Sequence, residues 1–142
     1  MNDYEKALQK SGVLSFTPGG NSMWPIIKNK GATVIIKTPD RELKKYDVAF
    51  YKRENSQSVL HRVMKVNADT YDMCGDSQFV LEKGVPKSSV FGILSGYYAG
   101  EKYIDCEKSL PYKIMVRFWS FSLFFRHAML KILRTFGIKP EY

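Results

Sequence analysis

The side chains able to make and break bonds in this chain are few, and they fall in a definite order. Ser22 sits in "FTPGGNSMWP", between a run of small, flexible residues and the stiffer Met23-Trp24-Pro25. A serine hydroxyl is a weak nucleophile until a base removes its proton. His61, in "SVLHRVMKV", is the candidate base. Strand alternation places Val59, His61, Val63 and Lys65 on one face, with Leu60, Arg62, Met64 and Val66 on the other. Aliphatic neighbours desolvate an imidazole and keep it neutral, so it accepts a proton at neutral pH. The plainer reading is a buried histidine satisfied by a backbone carbonyl. Asp76, in "CGDSQ", follows a glycine in a turn, where a carboxylate could orient the imidazole or serve turn geometry alone. Asp47 is the other candidate acid. Lys65 lies four residues along the strand from His61, ~13 Å away, so the two cannot occupy one position.

These groups need a scaffold, and the middle of the chain reads as short strands. Segments 13–16, 33–37, 47–52, 58–66, 70–74 and 90–98 are rich in Val, Ile, Phe and Tyr, several with period-two alternation. Turn signals separate them at 17–21, 28–31, 38–40, 54–57, 67–69 and 84–86. The expected fold is mainly β: a coiled antiparallel sheet or small barrel. A short helix precedes it, capped by Asn2 or Asp3 and ended by Gly12. The N-terminus shows no apolar run after a charged start, hence no secretory signal or N-terminal anchor is expected.

From residue 112 the period changes. Lys113, Arg117, Ser120, His127, Lys131 and Arg134 share a stripe about 100° wide at helical spacing, and the rest is largely apolar. One amphipathic helix over 112–136 is expected, with a division into a catalytic body, 1–110, and a basic aromatic tail, 111–142. The longest uncharged run there, 118–125, falls far short of the ~20 residues that span a bilayer.

Composition narrows the partners. The 142 residues carry 44% hydrophobic side chains, enough for one core, and a net charge of +8. Segment 112–142 holds Lys113, Arg117, Arg126, Lys131, Arg134 and Lys139 against the single acid Glu141, which leaves +3 for everything before it. The basic pI of about 9.5 is therefore a property of the tail and a weak sign of nucleic acid. Cys74 and Cys106 have no metal-ligand spacing, and with two histidines in the chain no metal or other cofactor is expected. One disulfide or two free thiols both fit.

The order Ser-Met-x-Pro, then a strand with His-Arg-Val, then Gly-Asp resembles the signal peptidase I family and its relatives, the LexA-type self-cleaving repressors. The positions carrying the resemblance are Gly20, Ser22, Met23 and Pro25, then His61-Arg62-Val63, then Gly75-Asp76. "KKYDVAFYK" and "SSVFGILSGYY" look like two of the family's strands, so the likeness runs from about residue 16 to 98. It implies a serine endopeptidase acting on a precursor or signal-like peptide. Ser22 would be the nucleophile and His61 the base, as in the endoplasmic-reticulum and archaeal type, where most bacterial enzymes use lysine. Asp76 would be the supporting acid. Gly20, Asn21, Met23 and Pro25 would shape the oxyanion and substrate-positioning segment. Many members carry a second serine where this chain has Gly20, which leaves backbone N–H groups, Ser22 foremost, to hold the oxyanion.

The implied partner is an extended peptide added to a sheet edge. The tail implies attachment to a membrane surface through 112–136, on the cytoplasmic side, or packing on the sheet or a second copy. Alternatives are a non-catalytic peptide-binding or partner-docking relative, and a repressor fragment. No helix-turn-helix precedes the site, so no nucleic-acid partner is expected.

Overall fold

In the computed structural model, residues 1–28 and 31–139 are described. The expected turn at 28–31 and the tail acid Glu141 therefore fall partly or wholly outside the described residues. Helix α1 (Asp3–Ser11) starts at an Asn2 cap. The Asn2 side chain accepts from the Glu5 N–H, and the Glu5 side chain accepts from the Asn2 N–H, which satisfies two free donors at once. Gly12, at φ 75°, ends it in the left-handed region where glycine is unstrained.

Eight strands follow: β1 (Val13–Phe16), β2 (Ala32–Lys37), β3 (Val48–Lys52), β4 (Ser58–Val66), β5 (Thr70–Cys74), β6 (Glu82–Pro86), β7 (Val90–Ala99) and β8 (Lys102–Asp105). They form one sheet in the order β1-β2-β7-β3-β4-β5-β6, with β8 also paired to β7, and every pairing is antiparallel. The mainly β antiparallel architecture is as read from the sequence. The sheet stays open, so the small-barrel form is not adopted. Two strands lie outside the sequence reading. β6 runs through Gly84 and Pro86, residues that signal a turn. Yet the strand is short and at the edge, where proline is tolerated. β8 is a short return strand on β7.

Bulges matter for the site. The β4–β5 register shifts between Val63 and Lys65, so the face holding His61 does not continue to Lys65, which is exposed. The expected sharing of one face by His61 and Lys65 is corrected on this point.

The C-terminal segment departs most from expectation. In place of one helix it forms two, α2 (Leu110–Ser120) and α3 (Leu123–Thr135). Ser122 breaks the run: it takes extended backbone and its hydroxyl accepts from the Phe125 N–H, capping α3. Nor is the segment a separate tail. Tyr112, Val116, Trp119 and Leu130 belong to the same buried cluster as Met23, Trp24, Val34, Phe50 and Leu60. The division at 110/111 does not mark a boundary in the core. Ser120 and Arg126, assigned to the outer cationic stripe and tail charge, are buried.

A second cluster gathers Tyr51, Val59, Val63, Tyr71, Met73 and Ile93 on the other face of the sheet. Cys74 and Cys106 are both free thiols.

Candidate active site

The chain leaves β1 and turns through residues 17–21 to Ser22. Trp24 donates its N–H to the Asn21 carbonyl at 3.1 Å, and Ile27 donates to Met23 at 2.9 Å. Met23 and Trp24 are buried in the main core, so the segment after the serine is anchored by apolar packing. Pro25 follows within the same turn. The Ser22 N–H and hydroxyl make no hydrogen bond to another described residue. Its carbonyl accepts from the Ser77 N–H at 2.9 Å.

Ser22 and His61 line one cleft of about 340 Å³, together with Phe16, Gly20, Met23, Phe50, Arg53 and Gln78. No hydrogen bond joins the serine hydroxyl to the imidazole. Catalytic contacts of this kind often tighten when substrate binds.

His61 is 3% exposed. Its Nδ1 lies 3.3 Å from the Tyr51 hydroxyl and 3.8 Å from Glu82 Oε2. The Tyr51 hydroxyl is itself 2.6 Å from Glu82 Oε2. Arg53 donates through Nε and Nη2 to both Glu82 oxygens, at 3.0 and 2.8 Å. The Arg53 fork, outweighing burial, lowers the Glu82 pKa, which makes Glu82 an acceptor-only carboxylate. The single Tyr51 proton therefore points to Glu82. The tyrosine oxygen is left to accept the Nδ1–H of His61. That selects one tautomer, with the lone pair on Nε2. Among the described residues every fully buried side-chain nitrogen or oxygen has a partner. Nε2 has none among the described residues, so it keeps access to solvent through the cleft.

Burial, helped by the Arg53 charge, brings the His61 pKa down to about 4, against the opposing pull of Glu82 and Asp76. The imidazole is neutral at pH 7 and able to accept a proton. Histidine thus has an orienting chain, Glu82 to Tyr51 to Nδ1, in which the carboxylate acts through a tyrosine.

Asp76 is bound elsewhere. Its two oxygens take the Arg62 fork, from Nε at 2.8 Å and Nη2 at 2.7 Å, with both residues at 0% exposure. Arg126 Nη2 stands 3.8 Å from the same carboxylate. Asp76 makes no hydrogen bond with His61, which corrects the role expected for it. Asp47, the other acid considered, is held by Arg41 at 2.6 Å and by the Lys44 N–H at 2.7 Å.

The Gly75-Asp76 pair still serves Ser22, by position. A Cβ on Gly75 would stand 2.7 Å from the Ser22 carbonyl oxygen and 3.1 Å from its Cβ, so only glycine fits. Asp76 anchors this loop through Arg62, and Ser77 donates to the Ser22 carbonyl. The hairpin formed by α2 and α3 holds the loop's other side. Trp119 Nε1 donates to the Asp76 carbonyl at 2.7 Å. Arg126 Nη1 donates to the carbonyls of Gly75 and Gln78, at 2.9 and 3.1 Å, and its Nη2 to the Ser120 hydroxyl at 3.0 Å.

Among the sequence-derived candidates, Gly20, Ser22, Met23 and His61 line the cleft, Asn21 and Pro25 flank it along the chain, and Asp76 stands behind it. Tyr51, Arg53, Gln78 and Glu82 were not found by sequence reasoning. Tyr51 had a usable signal: it alternates with Ala49 on β3, in antiparallel register with the His61 strand. Glu82 had none, because its strand reads as a turn.

Comparison of the chain with protein-family models, with characterised protein sequences and with solved structures gave no match.

Proposed function

We propose that this protein is a serine endopeptidase of the signal peptidase type, acting on an extended precursor peptide. The observation that carries the reading is the pairing in one cleft of Ser22 with a neutral His61 whose Nε2 lone pair is left open. His61 removes the Ser22 proton as the hydroxyl attacks the scissile carbonyl, and returns it to the leaving amine. The Ser22 N–H, which has no partner among the described residues, is a donor for the developing oxyanion. Strand β1 pairs only with β2 among the described residues, so its outer edge, which runs into the Ser22 turn, offers backbone groups to an extended peptide.

A fluorophosphonate probe tests this directly, since it labels only an activated serine. Wild type labels and Ser22→Ala does not. Absence of labelling in folded wild type sinks the proposal.

The gap between the Ser22 hydroxyl and His61 favours a second reading, a peptide-binding module without catalysis. That reading requires peptide binding with neither labelling nor cleavage.

A further inference from the structure

Helix α2 has two apolar faces where an ordinary surface helix has one. Tyr112, Val116 and Trp119 face the core. Leu110, Ile114, Phe118 and Phe121 recur at spacings of four, four and three, which places them in a single stripe on the opposite side. All four are exposed. The stripe continues around the hairpin turn into Phe124, which at 85% is more exposed than any other large apolar residue in the described chain. Phe125, half-buried, braces this tip: its ring lies 5.3 Å from Phe118 and 5.0 Å from Phe121. Apolar side chains are thus held outward by a supported aromatic cluster.

Exposed cations lie on the same two helices. Lys113 and Arg117 flank the stripe on α2. Lys131 and Arg134 on α3, with Lys139 beyond it, are exposed as well. From residue 110 to 139 there is no Asp or Glu. Among the described residues no helix is long and apolar enough to cross a bilayer. A second copy seated face to face would set these cations against one another. An anionic surface would neutralise them.

We propose that the α2–α3 turn is a membrane-docking tip: Phe118, Phe121 and Phe124 enter the interface of an anionic lipid surface while Lys113, Arg117, Lys131 and Arg134 sit at its headgroups. The arrangement follows the physics of interfacial helices, in which apolar insertion and electrostatic attraction act together. It differs from a free amphipathic tail, because the inner face of the hairpin is fixed to the domain core. Docking therefore orients the whole domain on the surface.

Co-sedimentation of the full chain with vesicles tests this. Binding to an equal mixture of phosphatidylcholine and phosphatidylglycerol should be about tenfold or more tighter than to phosphatidylcholine alone, as several basic residues near an anionic surface imply. High salt should release it. Two sets of exposed substitutions separate the contributions. Phe118→Ser with Phe121→Ser and Phe124→Ser should abolish pelleting. Lys113→Glu with Arg117→Glu and Lys131→Glu should remove the anionic preference. The thermal unfolding midpoint should be kept in both. Ser22→Ala should pellet like wild type, so the result is independent of the protease proposal. Equal binding to neutral vesicles, no binding to either, or a concentration-dependent dimer that the serine substitutions dissociate would each overturn the inference.

Discussion

Gly75 packs against Ser22 so closely that the space for a single methyl group is already occupied by the Ser22 carbonyl oxygen. The blocking atom is backbone, so a larger residue must move the Ser22 segment itself. Gly75→Ala is expected to slow probe labelling of Ser22 by about 10²-fold, the scale of an approximately 1 Å misplacement. It should also cost on the order of 1–3 kcal/mol in urea unfolding. Unchanged labelling would show that the loop does not position the serine.

Ser22→Ala and His61→Ala are each expected to abolish cleavage of a cognate peptide. The double substitution should be no worse than either alone, because residues acting as one unit are non-additive. The comparison is made on kcat/KM. Cleavage retained in Ser22→Ala would remove the enzyme reading.

Tyr51 and Asp76 should separate orientation from stability. Tyr51→Phe removes the acceptor for the His61 Nδ1–H but leaves Glu82 bound to Arg53. It should lower kcat by roughly 10- to 100-fold, below the full effect of a lost base, in a protein that stays folded. Asp76→Asn leaves Arg62 buried against a neutral amide and weakens the anchor for Arg126. Its expected effect is global, a loss of roughly 3–5 kcal/mol in denaturant unfolding. Equal kinetic effects at equal stability would return the orienting role to Asp76.

The pH dependence follows from His61. Burial brings its folded pKa to about 4 from an ordinary value of 6.5. The rising limb of kcat/KM should therefore fall near pH 4 and be flat through neutrality. A limb at 6 to 7 would mean an imidazole more solvated than the cleft allows. Between 6.5 and about 4 the unfolded chain binds more protons at this position than the folded one. Stability from His61 is thus complete above 6.5, is lost as pH falls through that window, and changes no further below it. Unfolding of wild type and His61→Gln across this range gives the difference.

Truncation after Leu110 should remove cooperative unfolding. It takes Tyr112, Val116, Trp119 and Leu130 from the core, and with them the Trp119 and Arg126 hydrogen bonds to the Gly75–Gln78 loop. Arg126→Lys is the finer test. A lysine cannot reproduce the planar fork that reaches the Gly75 and Gln78 carbonyls and the Ser120 hydroxyl together, so probe labelling should fall even where the domain remains folded. A well-folded, reactive 1–110 fragment would contradict this account.

Much of the sheet is legible because several strands alternate and β-branched or aromatic residues mark them. Val13–Phe16, Ser58–Val66 and Thr70–Cys74 match the observed bounds. β6 was hidden because Gly84 and Pro86 carry turn propensity that an edge position overrides. Bringing Ser22 and His61 into one cleft depends on a register no spacing reveals, so it came from resemblance alone. Asp76 holds Arg62 rather than His61 for a simple reason. Arg62, next to His61 in sequence, points to the opposite face of β4, and Asp76 lies on that side. The hairpin was read as one helix because the two stretches share a period across Ser122. Its buried Arg126 looks, in sequence, like any solvated cation.

The hairpin's grip on the Gly75–Gln78 loop also sets an order of events during synthesis. A chain emerging N-terminus first presents Ser22 and His61 well before Trp119 and Arg126 leave the ribosome. Until those two arrive, the Asp76 and Gly75 carbonyls lack their donors and the turn behind the serine is held from one side only. The nascent chain therefore carries an incomplete cleft, and the proposed reactivity of Ser22 is expected only once helix α3 has folded back. If Ser22 carries the proposed activity, the protein would stay silent toward its neighbours, and toward its own emerging chain, until its fold is finished.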